Sequence, residues 1–367
     1  GMVGAGGEGS VVGGRGRAAG GEVVRLGAGP DLSPGSLLAD DGGRALGNIA
    51  DLIALDLGKT TILFAASNTE HGVTSLSVDS TGTLHVLDTV NGSKGIGIHQ
   101  PGALATLNVG GHDFLIVGAS GSSSLTVFAI MDDGRMVETD MLWDDLNTRF
   151  RGVTALEAIG VDGRAFVLAG GSDGGVTLFE LGPDGHLYPA VTIVDTAATT
   201  LASVSAIEAV VVDGDIQVFV ASESEPGVTQ FSLNLGSFGN LVMPSGPVNE
   251  AVGGPSDDFL MGTDGRDTLW GMGGNDRIVY GGNVAPPSRG RGADPAVIQR
   301  DGCSERVMDY VPGNTLFALP ALRRPPSAAS PGHAAPDTRS RIASLPRFTP
   351  PPPLDRQSLV AADSHLS

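Results

Sequence analysis

Three aspartates at a fixed spacing announce the chemistry of this sequence. Asp258, Asp267 and Asp276 stand nine residues apart, and Leu260, Leu269 and Ile278 follow them at a constant offset. Written in rows, the segment reads GGPSDDFLM from Gly253, GTDGRDTLW from Gly262 and GMGGNDRIV from Gly271, with Gly265 and Gly274 at the fourth position of the last two. Glycine permits a tight turn and leaves carbonyl oxygens accessible. A carboxylate set among such carbonyls suits a hard cation that gathers roughly six to eight oxygen ligands, which is the preference of calcium. Asp258, Asp267, Asp276, Gly265 and Gly274 are therefore the candidate metal-holding residues, and Ca2+ is the expected cofactor.

A nine-residue row supplies one turn and one short strand, so two rows complete a coil of a parallel β-roll. Stacking then joins row n to row n+2. Asp258 and Asp276 are expected to bracket one fairly complete site, with Asp267 alone on the opposite side. Unscreened carboxylates stacked in this way repel each other, so the segment is expected to fold only when the cation is present. Pro255-Ser256, Thr263 and Met272 depart from the row pattern, and the fourth row fails, since Gly281-Gly282-Asn283 runs into VAPPSRG. One or two ions with affinity on the order of 10⁻⁴–10⁻³ M are expected.

The residues ahead of this segment carry a longer period. GVTSLSV at Gly72, SLTVFAI at Ser124, GVTLFEL at Gly175 and GVTQFSL at Gly227 recur with anchors 52, 51 and 52 residues apart. An apolar run precedes each: TILFAAS, FLIVGAS, AFVLAGG and QVFVAS. A fifth, weaker signature, EVVRLGAGPD, begins at Glu22. Asp-Gly dipeptides between the runs mark hairpins. Four short antiparallel strands per period are the pattern of propeller blades. The expected fold is all-β: a propeller at 22–246 with four full blades and a half blade, a roll at 253–282, and a mostly disordered tail at 283–367. Residues 1–21 read as a Gly-rich disordered segment.

The nonapeptides resemble the calcium-binding RTX repeat. The blade signature resembles YVTN/lactonase-like propellers and, more closely, the repeat region of RTX (hemolysin-type) calcium-binding proteins of alphaproteobacteria. The RTX resemblance implies export by type I secretion and a secreted or cell-surface protein whose roll folds in external calcium. Within the tail, ERVMDYVPGNTLFALPAL at 305–322 resembles the capping segment that follows such repeats, through Asp309, Tyr310, Pro312 and Gly313. The propeller is expected to act as an interaction module, with an extracellular protein or a glycan as partner through its loops.

Other chemistries are weaker. The net charge of −19 argues against nucleic acid. The single Cys303 excludes an intramolecular disulfide framework. No 18-residue apolar run is present, so no membrane-spanning helix is expected. An enzyme would use the central channel, where the column Ile53, Asn108, Glu157 and Glu208 holds two carboxylates fit for acid–base work. Asp51, His99, His112 and Arg149 are further polar candidates. A lactonase-like hydrolase is thus an alternative, though equivalent positions in duplicated blades more often reflect the repeat than a site. A truncated gene product without independent function is a further alternative.

Overall fold

Near-continuous Val, Leu, Ile and Phe in the middle strands of each repeat require burial on both faces. The computed structural model provides it by setting four-stranded sheets side by side. It describes residues 37–280 except 59, 93–94, 235–237, 245–249 and 264–267, with backbone only at 268 and 280. The backbone of strands at 2–5, 10–14, 21–26, 32–36, 296–298 and 317–318 is described as well. The remaining tail residues and the capping segment, apart from those strands, lie outside the described residues.

Blade 1 comprises β1 (Met2–Ala5), β2 (Ser10–Gly14), β3 (Gly21–Leu26) and β4 (Leu32–Leu38). Blade 2 comprises β5 (Ile49–Asp56), β6 (Thr61–Ser67), β7 (Gly72–Val78) and β8 (Leu84–Asn91). Blade 3 follows with β9 (Pro101–Val109), β10 (His112–Ala119), β11 (Ser124–Ile130) and β12 (Met136–Trp143). Blade 4 has β13 (Ala155–Val161), β14 (Arg164–Gly170), β15 (Gly175–Leu181) and β16 (Leu187–Val194). Blade 5 keeps only β17 (Val204–Val212), β18 (Asp215–Ser222) and β19 (Val228–Leu233). Each is an antiparallel meander, and the first strands β5, β9, β13 and β17 are successive neighbours, with β1 beside β5. This is a β-propeller. Among the described residues there are four full blades and a partial one, and the partial blade is the last; the stretch read as a Gly-rich disordered segment contributes β1 and β2 to blade 1.

The turns follow the glycine positions. Asp162-Gly163 and Asp213-Gly214 have positive φ at both residues (51° and 79°, 53° and 87°), the conformation a two-residue hairpin loop demands. Core clusters lie between blades. Phe64 and Val73 of blade 2 pack with Leu115 and Val117 of blade 3. On the other face of β10, Phe114 and Ile116 join Val167 and Phe179 of blade 4, and Phe166 and Leu168 face Ile216 and Val218 of blade 5. Carboxylates stitch neighbours together: Asp51 accepts from the Leu104 N–H at 2.8 Å, Asp88 from Met136 at 3.0 Å and Asp140 from Leu187 at 2.9 Å.

Beyond blade 5 the pairing turns parallel. β20 (Phe238–Val242), β22 (Asp257–Met261), β24 (Arg277–Tyr280), β25 (Ala296–Ile298) and β26 (Phe317–Ala318) form one sheet; β21 (Glu250–Val252) and β23 (Thr268–Trp270) form the other. Leu260 pairs with Ile278 and Ala251 with Leu269, an 18-residue register in both sheets. That is the two-row coil of a β-roll. Among the described residues no helix is long and apolar enough to cross a membrane.

Candidate metal centre

Alternation along β22 sends Asp258 and Leu260 into the roll and Phe259 and Met261 outward. Leu260, Leu269, Ile278 and Ala251 make the thin core, with Val242 packed against it. The apolar column therefore begins at Val242 and runs through five rows at nine-residue intervals, two rows earlier than the Gly pattern indicates. Asn240 and Asn249 hold the aspartate position in those rows; Asn249 lies outside the described residues.

Asp258 is 1% exposed and Asp276 fully buried. They stack in one column: the Asp258 N–H donates to Asp276 Oδ1 at 2.9 Å, and the Asn240 N–H donates to Asp258 Oδ1 at 2.7 Å. Asp258 Oδ2 accepts from the Gly254 N–H. Asn275 N–H donates to Asp257 Oδ1 at 2.7 Å, tying the two turns together. Asp267 and Gly265 lie outside the described residues.

The glycines form a cradle. A Cβ at Gly253 would stand 2.6 Å from Asp258 Oδ2 and 2.7 Å from the Gly271 carbonyl oxygen. One at Gly271 would meet Asp276 Oδ2 at 2.3 Å, and one at Gly239 would meet Asp258 Oδ1 at 2.0 Å. Gly274, at φ 105°, has the Ser256 carbonyl oxygen 2.3 Å from where its Cβ would be. Side chains are excluded where carboxylate and carbonyl oxygens from successive turns converge. Among the described residues no three His, Cys, Asp or Glu side chains form a metal-holding group. The donor set is instead two buried carboxylates and backbone carbonyls, all oxygen, which fits calcium and not a transition metal.

Residues 252–283 match the model of the RTX calcium-binding nonapeptide repeat, in four copies. The chain thus carries RTX calcium-binding repeats behind a β-propeller. No curated protein matches it. Among solved structures it is similar to a protein from Lactobacillus plantarum, at 12% identity and TM-score 0.42 over 65% of this chain and 71% of that one. It is similar to the SapL1 lectin in complex with alpha methyl fucoside, at 13% identity and TM-score 0.42 over 64% and 76% of the two chains. It is also similar to an exo-beta-1,3-galactanase from Phanerochaete chrysosporium, at 8% identity and TM-score 0.41, where 65% of this chain spans 60% of the other.

The roll is anchored to blade 4 through groups the row pattern does not mark. Arg164 on β14 is buried; its Nε sits 2.6 Å from Glu180 Oε1 on β15, and its Nη1 donates to the Asp257 carbonyl at 2.7 Å. Arg277 Nε lies 3.5 Å from Glu180 Oε2. Burial disfavours the Arg277 charge, and Glu180 is the chief influence restoring it. Phe259, Met261 and Val279 pack with Tyr188 of β16. Burial, then the Asp184 charge, push the Tyr188 hydroxyl far above its ordinary range, so it acts as a donor to Asp184 Oδ2 at 2.8 Å.

The channel column needs one correction. The pairs Asp51↔Ala66, Ala103↔Gly118, Ala155↔Gly170 and Ala206↔Ala221 are equivalent in successive blades. They place Ile53, Ala105, Glu157 and Glu208 in one column, two residues further along each first strand. Asn108 sits three residues beyond Ala105, bonded to Asp113 at 2.8 Å, because β9 runs on to Val109 before its Gly110-Gly111 turn. Glu157 is half-buried, and burial, with Glu208 beside it, raises its pKa to about 7. The other polar candidates make contacts within the scaffold, and the His112 ring lies edge-on to Phe114 with centroids 6.5 Å apart. Asp51 bridges to blade 3, His99 stacks on His71 with centroids 4.0 Å apart, and Arg149 donates to the Thr148 carbonyl at 2.6 Å.

Proposed function

We propose that this is a secreted or cell-surface protein in which calcium folds the nonapeptide roll and the propeller is an interaction module. The buried Asp258–Asp276 column within its glycine cradle carries this reading. Two stacked carboxylates in a site of low solvent access are unfavourable unless compensated, and a divalent ion supplies the missing charge. Asp258 and Asp276 would ligate it, with turn carbonyls completing the shell; Asp267 and Gly265 stand in the row between them, and Gly274 in the row of Asp276. The RTX resemblance supports export through a type I route, the roll remaining open in low cytosolic calcium and closing outside. An extracellular protein or glycan at the propeller loops is the partner this reading favours. Calorimetric titration of the whole chain tests it: calcium should bind with Kd on the order of 10⁻⁴–10⁻³ M, and Asp258→Asn with Asp276→Asn should abolish the heat. Unchanged binding in the double variant would reject the site.

A hydrolase is the second reading, favoured by one observation. Glu157 and Glu208 occupy equivalent places on adjacent innermost strands, and Glu157 titrates near neutrality, where a general acid or base is most effective. A double Glu157→Ala/Glu208→Ala variant that retains any measured lactonase activity would exclude this pair.

A further inference from the structure

We infer that β20 is a strand with two partners, the roll and blade 5, and that calcium occupancy chooses between them. The inference rests on the reading that calcium folds the roll.

Blade 5 ends on a strand shaped to be covered. In blades 2, 3 and 4 the outermost strand carries a register shift against the third strand and includes Asp88, Glu138 with Asp140, or Pro189, the features that keep a sheet edge from recruiting another strand. β19 reads VTQFSL, with no charge and no proline. It pairs with β18 from Leu233 to Val228 without a shift, and Val228 is 65% exposed. Among the described residues no strand covers its outer side.

β20 is placed to be that cover. In blades 2–4 the fourth strand starts six residues after the third ends, at Leu84, Met136 and Leu187. β20 starts at Phe238, five residues after Leu233. The intervening Asn234-Leu235-Gly236-Ser237 has the glycine that these hairpin turns use, as at Gly82, Gly134 and Gly185 (φ 77–80°). Phe238 is apolar like Leu84, Met136 and Leu187. It packs edge to face on Phe166 of blade 4 with centroids 5.6 Å apart, much as Leu187 clusters with Phe114 of the blade before it. Its side chain thus meets blade 4 as that of a fourth blade strand would, while its backbone already pairs in parallel with Asp257 of the roll.

What draws it away is the metal column. Asn240 donates to Asp258, Leu241 and Val242 pair in parallel with Phe259 and Leu260, and Arg164 reaches the Gly239 carbonyl at 3.4 Å. When the carboxylates lack a cation and the roll opens, these contacts go. An antiparallel hairpin with β19 is then the nearest and slightly stronger pairing. The calcium-free chain would complete blade 5 and hide its edge.

Hydrogen exchange on the full chain tests this, in EGTA and in 10 mM calcium. The expected result is opposite changes: amides of β22 and β24 gain protection with calcium, while those of β19 pointing away from β18 exchange at least about tenfold faster. Asp258→Asn/Asp276→Asn should show the EGTA pattern of β19 in both buffers. If the roll gains protection and β19 is unchanged or slower, the strand exchange is wrong. If the roll itself does not respond, the calcium reading beneath it fails.

Discussion

Replacing Glu180 by Gln probes the joint between roll and propeller. Glu180 has 3% of its side chain exposed and faces two guanidinium groups, Arg164 at 2.6 Å (5% exposed) and Arg277 at 3.5 Å (15% exposed). The substitution keeps the volume and removes the only carboxylate of the trio, leaving two buried positive charges uncompensated. Breaking a buried pair in this way costs about 3–5 kcal/mol. With a urea slope of about 2 kcal/mol per molar, the midpoint in saturating calcium should fall by about 1.5–2.5 M. Arg164 also holds the Asp257 carbonyl, so part of the loss should appear in calcium affinity, tenfold for about every 1.4 kcal/mol of docking. Urea titration followed by tryptophan fluorescence, paired with calcium titration, measures both. A midpoint shift below about 0.5 M with unchanged calcium affinity would refute the joint as described.

Gly271→Ala should weaken calcium binding by at least about tenfold, since its Cβ would stand 2.3 Å from Asp276 Oδ2 and force the carboxylate aside, a loss of about 1.4 kcal/mol or more; calorimetry on the purified variant reads it directly. Burial, with the Glu208 charge, raises the Glu157 pKa from the ordinary 4.5 to about 7, so the folded state holds its proton longer than the unfolded state. Its contribution is present below about pH 4.5 and lost as pH rises through about 7. Thermal melts from pH 5 to 8 should show that decline, and Glu157→Gln should flatten it. A wild-type curve unchanged by that substitution would show that Glu157 is not the titrating group.

Much of the fold was legible because repetition amplifies weak local signals. A single run such as AFVLAGG is ambiguous between helix and strand, but four copies near a 51-residue spacing, with Asp-Gly turns between them, leave few alternatives. Asp258 and Asp276 were legible for the same reason. The rows at Asn240 and Asn249 were not, because neither has glycine at its first or fourth position and both carry the amide in place of the acid; the clue was the column Val242, Ala251, Leu260. The departure of β20 was hidden too, since Phe238–Val242 suits a fourth blade strand as well as a roll strand. Arg164, Glu180 and Arg277 gave no local signal at all, for their partners are far apart in the chain. The channel column slipped because alignment on the hairpin turns absorbs the extra residues of β9.

The roll's docked face also restricts how its length can change. Leu241, Phe259 and Arg277 lie 18 residues apart in one sheet, and Phe259, Met261 and Val279 contact Tyr188. The rows between them belong to the opposite sheet, with Glu250 and Val252 at the matching positions. Insertion or loss of one nonapeptide would exchange the two sheets beyond that point and carry the wrong side chains to blade 4. Adding or removing two would restore the same face. Growth of this roll is therefore confined to even numbers of rows, a parity imposed by the propeller beneath it and not by the metal.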